Sequence, residues 1–184
     1  MPENKSTIEL KQCVQWFAMR VTYGREVKLQ NYLNEQNVKS FIPMQYKMLI
    51  KHGVKERKLV SAVHNLIFIY SSSAYLDILK KEVDNVTPMR YMIDKATKLP
   101  IVVPEREMNY FIAIAGSLDE QLIYLKDVNA AIKKGDRVQV VGGVFAGVEG
   151  EVLRIRQNRR VVVTIKGVVA VAATFMDSSF LKKI

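Results

Sequence analysis

Lys134-Gly135-Asp136-Arg137-Val138-Gln139-Val140-Val141-Gly142-Gly143-Val144-Phe145-Ala146-Gly147-Val148-Glu149-Gly150-Glu151-Val152 reads as a turn, a strand, a glycine-rich loop and a second strand. Gly135-Asp136 makes a turn, and residues 137–141 alternate as a half-buried strand does. Glycines at 142, 143, 147 and 150 punctuate the next segment, where the backbone must turn sharply or pass close to a neighbour. Phe145 is a lone aromatic at the loop tip. Alternation resumes over 151–156, with Val152, Leu153 and Ile155 as its apolar residues. A phosphate-binding loop would need a helix opening at the last glycine, its amides facing the ligand. Here a strand comes next, and Gly-Lys-Ser/Thr is absent. That leaves a plain β-hairpin or a recurrent β-motif.

Outward from this stretch, the 184 residues hold one large domain or two small ones. Hydrophobic and charged fractions of 49% and 25% are those of a globular chain, not a disordered one. No apolar run approaches the ~20 residues of a membrane span. The polar start, residues 1–12, reads as a frayed arm rather than a signal peptide, so a cytoplasmic location and no membrane are expected. Cys13 is the single cysteine, which excludes an internal disulfide and a multi-cysteine metal site. It is expected as a buried small hydrophobe in a strand. The net charge is +10, and residues 133–184 carry +6 of it, which favours a polyanionic partner such as nucleic acid.

Residues 14–21 read as a strand with Trp16 and Phe17 on opposite faces. Residues 25–36 read as a helix stopped at Asn37, and 40–42 as a short strand ended by Pro43. Two strands meet at a hairpin tip, His52-Gly53, that carries Lys51, Lys55, Arg57 and Lys58 against Glu56. The apolar run 66–70 is a central strand. Ser71-Ser72-Ser73 caps a helix over 74–83, 90–93 is a further strand, and Pro104-Glu105 opens a helix that stops at Gly116. The expected class is α+β, an antiparallel sheet flanked by helices, over residues 12–116. Residues 117–132 are the linker. Residues 133–184 form four or five short strands closing into a small all-β barrel. Arg154, Arg156, Arg159 and Arg160 crowd the turn at Asn158 and, with the hairpin cations, are candidate nucleic-acid contacts. His52 and His64 have no cysteine or carboxylate partner in view, so no catalytic, metal or cofactor role is expected.

The opening stretch resembles a KOW motif, the start of small Tudor- or SH3-like barrels in transcription and ribosomal proteins. Gly135-Asp136-Arg137-Val138, then Gly143, Phe145-Ala146-Gly147 and Gly150, carry the likeness. Trp16-Phe17-Ala18-Met19-Arg20, Tyr23-Gly24-Arg25-Glu26, Phe41-Ile42-Pro43 and Asn65-Leu66-Ile67-Phe68-Ile69 resemble, in order, the NusG N-terminal domain. The two resemblances cover nearly all of the chain past residue 12. Ser61-Ala62-Val63-His64-Asn65 stands where general NusG has Pro-Gly-Tyr. RfaH has Pro-Asn-Tyr there. The Leu99–Pro104 joint and the strand after Gly167 resemble the specialised paralogues of polysaccharide operons, the RfaH and UpxY-like group.

The resemblance implies a monomeric transcription elongation and antitermination factor, not an enzyme. Its N-terminal domain would dock on the RNA polymerase clamp through Trp16, Leu66, Phe68 and Tyr91, suppressing pausing in capsular or exopolysaccharide operons. On that reading Phe68→Asp leaves a folded protein that no longer binds polymerase. The KOW domain would contact ribosomal protein S10, or Rho, through Phe145, Ala146 and Val148. The valine-rich strands favour a stable barrel over any helical form. The alternative is a ribosome-associated KOW-type RNA-binding protein, since the C-terminal part is the more basic.

Overall fold

The computed structural model describes residues 13–125, 135–155 and 158–184, with Lys51, Thr174 and Phe175 as backbone only. The arm expected at 1–12, most of the linker's second half and Arg156 lie outside the described residues.

The front half is organised by two apolar strands, β1 (Gln15–Val21) and β5 (Leu66–Ser71), paired antiparallel with Trp16 opposite Tyr70. Around them stand β2 (Ser40–Phe41) on β5, and β6 (Met89–Tyr91) and β7 (Val102–Val103) on β1. Alternation sorts the side chains as the sequence implies. Phe17, Met19, Ile67 and Ile69 face α1 (Glu26–Glu35) and α2 (Ser73–Val83), meeting Leu29, Leu33, Leu76 and Leu79 in one buried cluster. Trp16, Ala18, Leu66 and Phe68 face the other way, into a cluster with α3 (Glu105–Ala115). Each fully buried large side chain contributes roughly 1.5–3 kcal/mol.

The helix ends follow from local chemistry. The hydroxyl of Ser72 accepts from the Tyr75 amide at 3.2 Å, capping α2. After α1, Asn37 takes φ +56°, and the amides of Asn37 and Val38 donate to the carbonyls of Asn34 and Leu33. That is a Schellman ending, with asparagine in the place glycine usually fills. β3 (Met44–Lys51) and β4 (Val54–Ser61) form a separate two-stranded arm. Its two-residue turn has both His52 and Gly53 at positive φ, the geometry that suits strand twist.

The second sheet is antiparallel throughout, in the order β13 (Leu181–Lys183), β9 (Asp136–Val140), β10 (Glu149–Ile155), β11 (Asn158–Ile165), β12 (Val169–Phe175), β8 (Ile123–Leu125). Gly150 is required where β10 crosses β11, because a Cβ there would lie 2.6 Å from the Val162 carbonyl oxygen. Three expectations are corrected. Among the described residues the sheet is an open path whose two outer strands, β13 and β8, do not pair with each other, so they form no closed barrel. Part of the expected linker is strand, since Ile123 and Leu125 pair with Ala172 and Ala170. The two halves are not separate. Val138, Val161, Val163, Val169 and Val171 share one continuous buried cluster with α3, Trp16 and Phe68. Valine-rich strands need cover on both faces, and α3 supplies an apolar partner for sheets on either side of it. Cys13 is also corrected: it lies just ahead of β1 and is exposed.

Candidate interaction site

The four residues expected to meet polymerase do not share one face. Trp16, Leu66 and Phe68 do, in the β1–β5 surface under α3, where Trp16 and Phe68 are wholly buried. Phe68 meets the Phe111 ring of α3 edge-on at 5.6 Å, and Trp16 lies against Tyr70 at 5.3 Å, with the Lys39 ammonium over both rings. Tyr91 belongs to the opposite face. It pairs with Met19, contacts the Phe17 ring at 5.5 Å, and its hydroxyl donates to Asp77 at 3.2 Å. Burial, with the Asp77 charge and hydrogen bond, pushes the Tyr91 hydroxyl up to about 12. The parity of a strand decides this, and Tyr91 sits opposite an odd-numbered residue of β1. Phe68→Asp would place a charge inside an aromatic cluster, which a folded protein does not tolerate without a partner. The sequence-based expectation for that variant is therefore reversed.

The glycine loop is corrected in the same way. Phe145 and Val148 are buried in the cluster that joins the two halves. Ala146 is exposed, and the outermost apolar side chain is Val144, at 91% exposure. The turn bonds Ala146 to Gly143 and Gly147 to Val140, with Gly143 and Gly147 at positive φ, and this rolls Phe145 inward.

The expected cations differ in their surroundings. Arg57 lies 3.9 Å above the Tyr46 ring and pairs with Glu120 at 2.5 Å. Arg160 is structural, donating to the carbonyls of Gln121 and Ala173, each at 2.9 Å. Lys55 and Lys58 are exposed on the arm, and Arg154 and Arg159 are exposed on β10 and β11. Lys51 closes β3, and only its backbone is described. The sequence reading passed over Lys47, which lies directly across from Lys58. The alternation of Tyr46, Met48 and Ile50 marks a strand in the sequence, and in the structure its apolar ladder is exposed, Met48 at 60% and Ile50 at 72%.

Between α3 and the second sheet lies a cleft of about 390 Å³, lined by Arg106, Tyr110, Arg137, Glu149, Glu151 and Thr164. Arg106 bonds the Tyr110 hydroxyl and the Glu149 carboxylate, and both partners raise its already high pKa. Arg137 reaches the other Glu149 oxygen at 3.5 Å. These groups pair with each other and stitch α3 to β10. Among the described residues no cluster of histidine, cysteine and carboxylates could hold a metal ion, and no helix is long and apolar enough to cross a membrane.

A family model described as transcription termination factor NusG matches residues 14–112, more than half of the chain. No curated protein matches. Among solved structures, the chain is similar to one described as domain interaction in Thermotoga maritima NusG. The TM-score is 0.48 and the identity 21%, over 94% of this chain and 98% of that one. It is also similar to one described as the MjSpt4:Spt5 complex in conformation B. There the TM-score is 0.22 and the identity 13%, over 92% and 96% of the two chains.

Proposed function

This chain belongs to the NusG family of transcription factors, and from that premise we propose that it is an elongation and antitermination factor. It binds the RNA polymerase clamp through its front half, residues 12–116, and suppresses pausing or termination. It acts in the cytoplasm as a monomer, on capsular or exopolysaccharide operons, as the likeness to RfaH and UpxY-like paralogues implies. The back half, residues 133–184, serves a second partner, ribosomal protein S10 or Rho. The observation that carries the reading is the match over residues 14–112, which spans the face holding Trp16, Leu66 and Phe68.

That face lies under α3 and the second sheet, so contact through it requires α3 as well as the second sheet to move off it. Aromatic side chains in a patch that water vacates carry most of an interface's energy. Binding to the partner must outweigh the packing that the two halves give up, because a ligand shifts an equilibrium only by its differential affinity for the two states. For the back half, Ala146 and the exposed Val144 are the residues left to a partner while Phe145 stays buried.

Capture of purified core RNA polymerase by the full chain tests the reading. Binding is expected, and it weakens in Trp16→Ala once a circular-dichroism melt has shown that variant folded. No capture of polymerase, with ribosomal RNA bound instead, would replace the proposal with the ribosome-associated alternative.

A further inference from the structure

Strand register places cations directly opposite cations at three points. Lys47 faces Lys58 in the arm, Arg20 faces Arg90 in the front sheet, and Arg154 faces Arg159 in the second sheet. All six residues are exposed. Like charges directly opposed across a ladder destabilise it, and unlike charges there stabilise it. A sheet shaped by folding alone would set glutamate against lysine at such positions. The arm has one carboxylate, Glu56, and it stands opposite Leu49 rather than a lysine. Among the described residues, Lys47, Lys58, Arg20 and Arg90 enter no ion pair. The carboxylates that do pair take other cations, such as Arg57, Lys80, Arg106 and Arg137.

We propose that these opposed pairs are phosphate-binding positions for nucleic acid, with Lys47/Lys58 and Arg20/Arg90 the principal two. Two cations one ladder step apart offer converging positive charge that a single phosphate can bridge, and its arrival removes the repulsion between them. No other common ligand chemistry fits so well. A carboxylate brings a single negative charge, whereas a nucleic acid brings a run of phosphates whose binding releases counterions. The cations of the arm fall on two faces. Lys47 and Lys58 lie on the face opposite the Tyr46–Met48–Ile50 ladder, whereas Lys55 and Arg57 lie on the ladder's side, where Arg57 is held by Tyr46 and Glu120. Only on the Lys47/Lys58 face do two cations of the arm stand directly opposite each other. This rests on the proposed function and adds to it a nucleic-acid contact made through phosphates. It is separable from polymerase binding, because each is measured without the other component.

The test uses the full chain and a short mixed-sequence DNA duplex, followed by fluorescence anisotropy over a range of salt concentrations. Lys58→Glu and Arg90→Glu should each weaken binding several-fold. Each should also make the plot of log affinity against log salt shallower by about one for the phosphate lost. Both should leave the melting temperature unchanged or raise it, since each turns a repulsive pair into an attractive one. Lys81→Glu, at an exposed position on α2, should leave the affinity and its salt slope unchanged. Failure of the unaltered chain to bind the duplex at low salt would overturn the proposal. So would an equal loss in Lys81→Glu, or a lower melting temperature in both reversal variants.

Discussion

Tyr124 shows what a single side chain can report. It is half-buried on β8, its hydroxyl donates to the Met44 carbonyl at 3.3 Å, and burial pushes it up to about 12. An unfolded tyrosine titrates near 10. A raised folded value means the folded state holds its proton longer. The associated stability is complete below about pH 10 and is lost as pH climbs toward 12. Melting temperatures across that window should fall in the unaltered chain and fall less steeply in Tyr124→Phe, with the remaining slope owed partly to Tyr91. At this scale the sequence was legible in parity and illegible in cover. Alternation put Trp16 and Phe17 on opposite faces, which is what the structure has. It carried no sign that both faces are covered, because the covering residues, Phe111 among them, lie far along the chain. Tyr91 was misplaced for a related reason: the register of a three-residue strand depends on its neighbour, and its own sequence holds too few residues to fix it.

Among the elements, those with strong local chemistry were readable. The serine run before α2, Asn37 after α1 and the proline before α3 mark helix ends that the structure keeps within a residue or so. Ser72→Ala should cost about 1 kcal/mol, the usual worth of a helix N-cap, measurable as a lower denaturant midpoint with unchanged slope. The strands β7 and β8, of two and three residues, were not readable, because so short a segment has no period to detect. Each forms where an existing strand offers an open edge: β7 beside Trp16 and Phe17, β8 beside Ala170 to Ala172. The expected closure of the second sheet failed for the same reason. Edge β12 is occupied by the linker strand, so β13 is not paired there.

For the whole molecule, the shared interior predicts cooperative unfolding. Since β1, α3 and the second sheet contribute to one buried cluster, calorimetry should find a single transition for the full chain, with calorimetric and van't Hoff enthalpies in agreement. Two resolved transitions would show the halves to be energetically independent. The strand β8 also decides where the molecule can bend. It is paired to β12, so if the back half swings out, that strand travels with it, and the pivot is confined to residues 116–122. A leash that short reaches only about 20–25 Å when drawn taut. The back half, even released, would therefore stay tethered close to the surface it had uncovered and would compete for it with any newcomer.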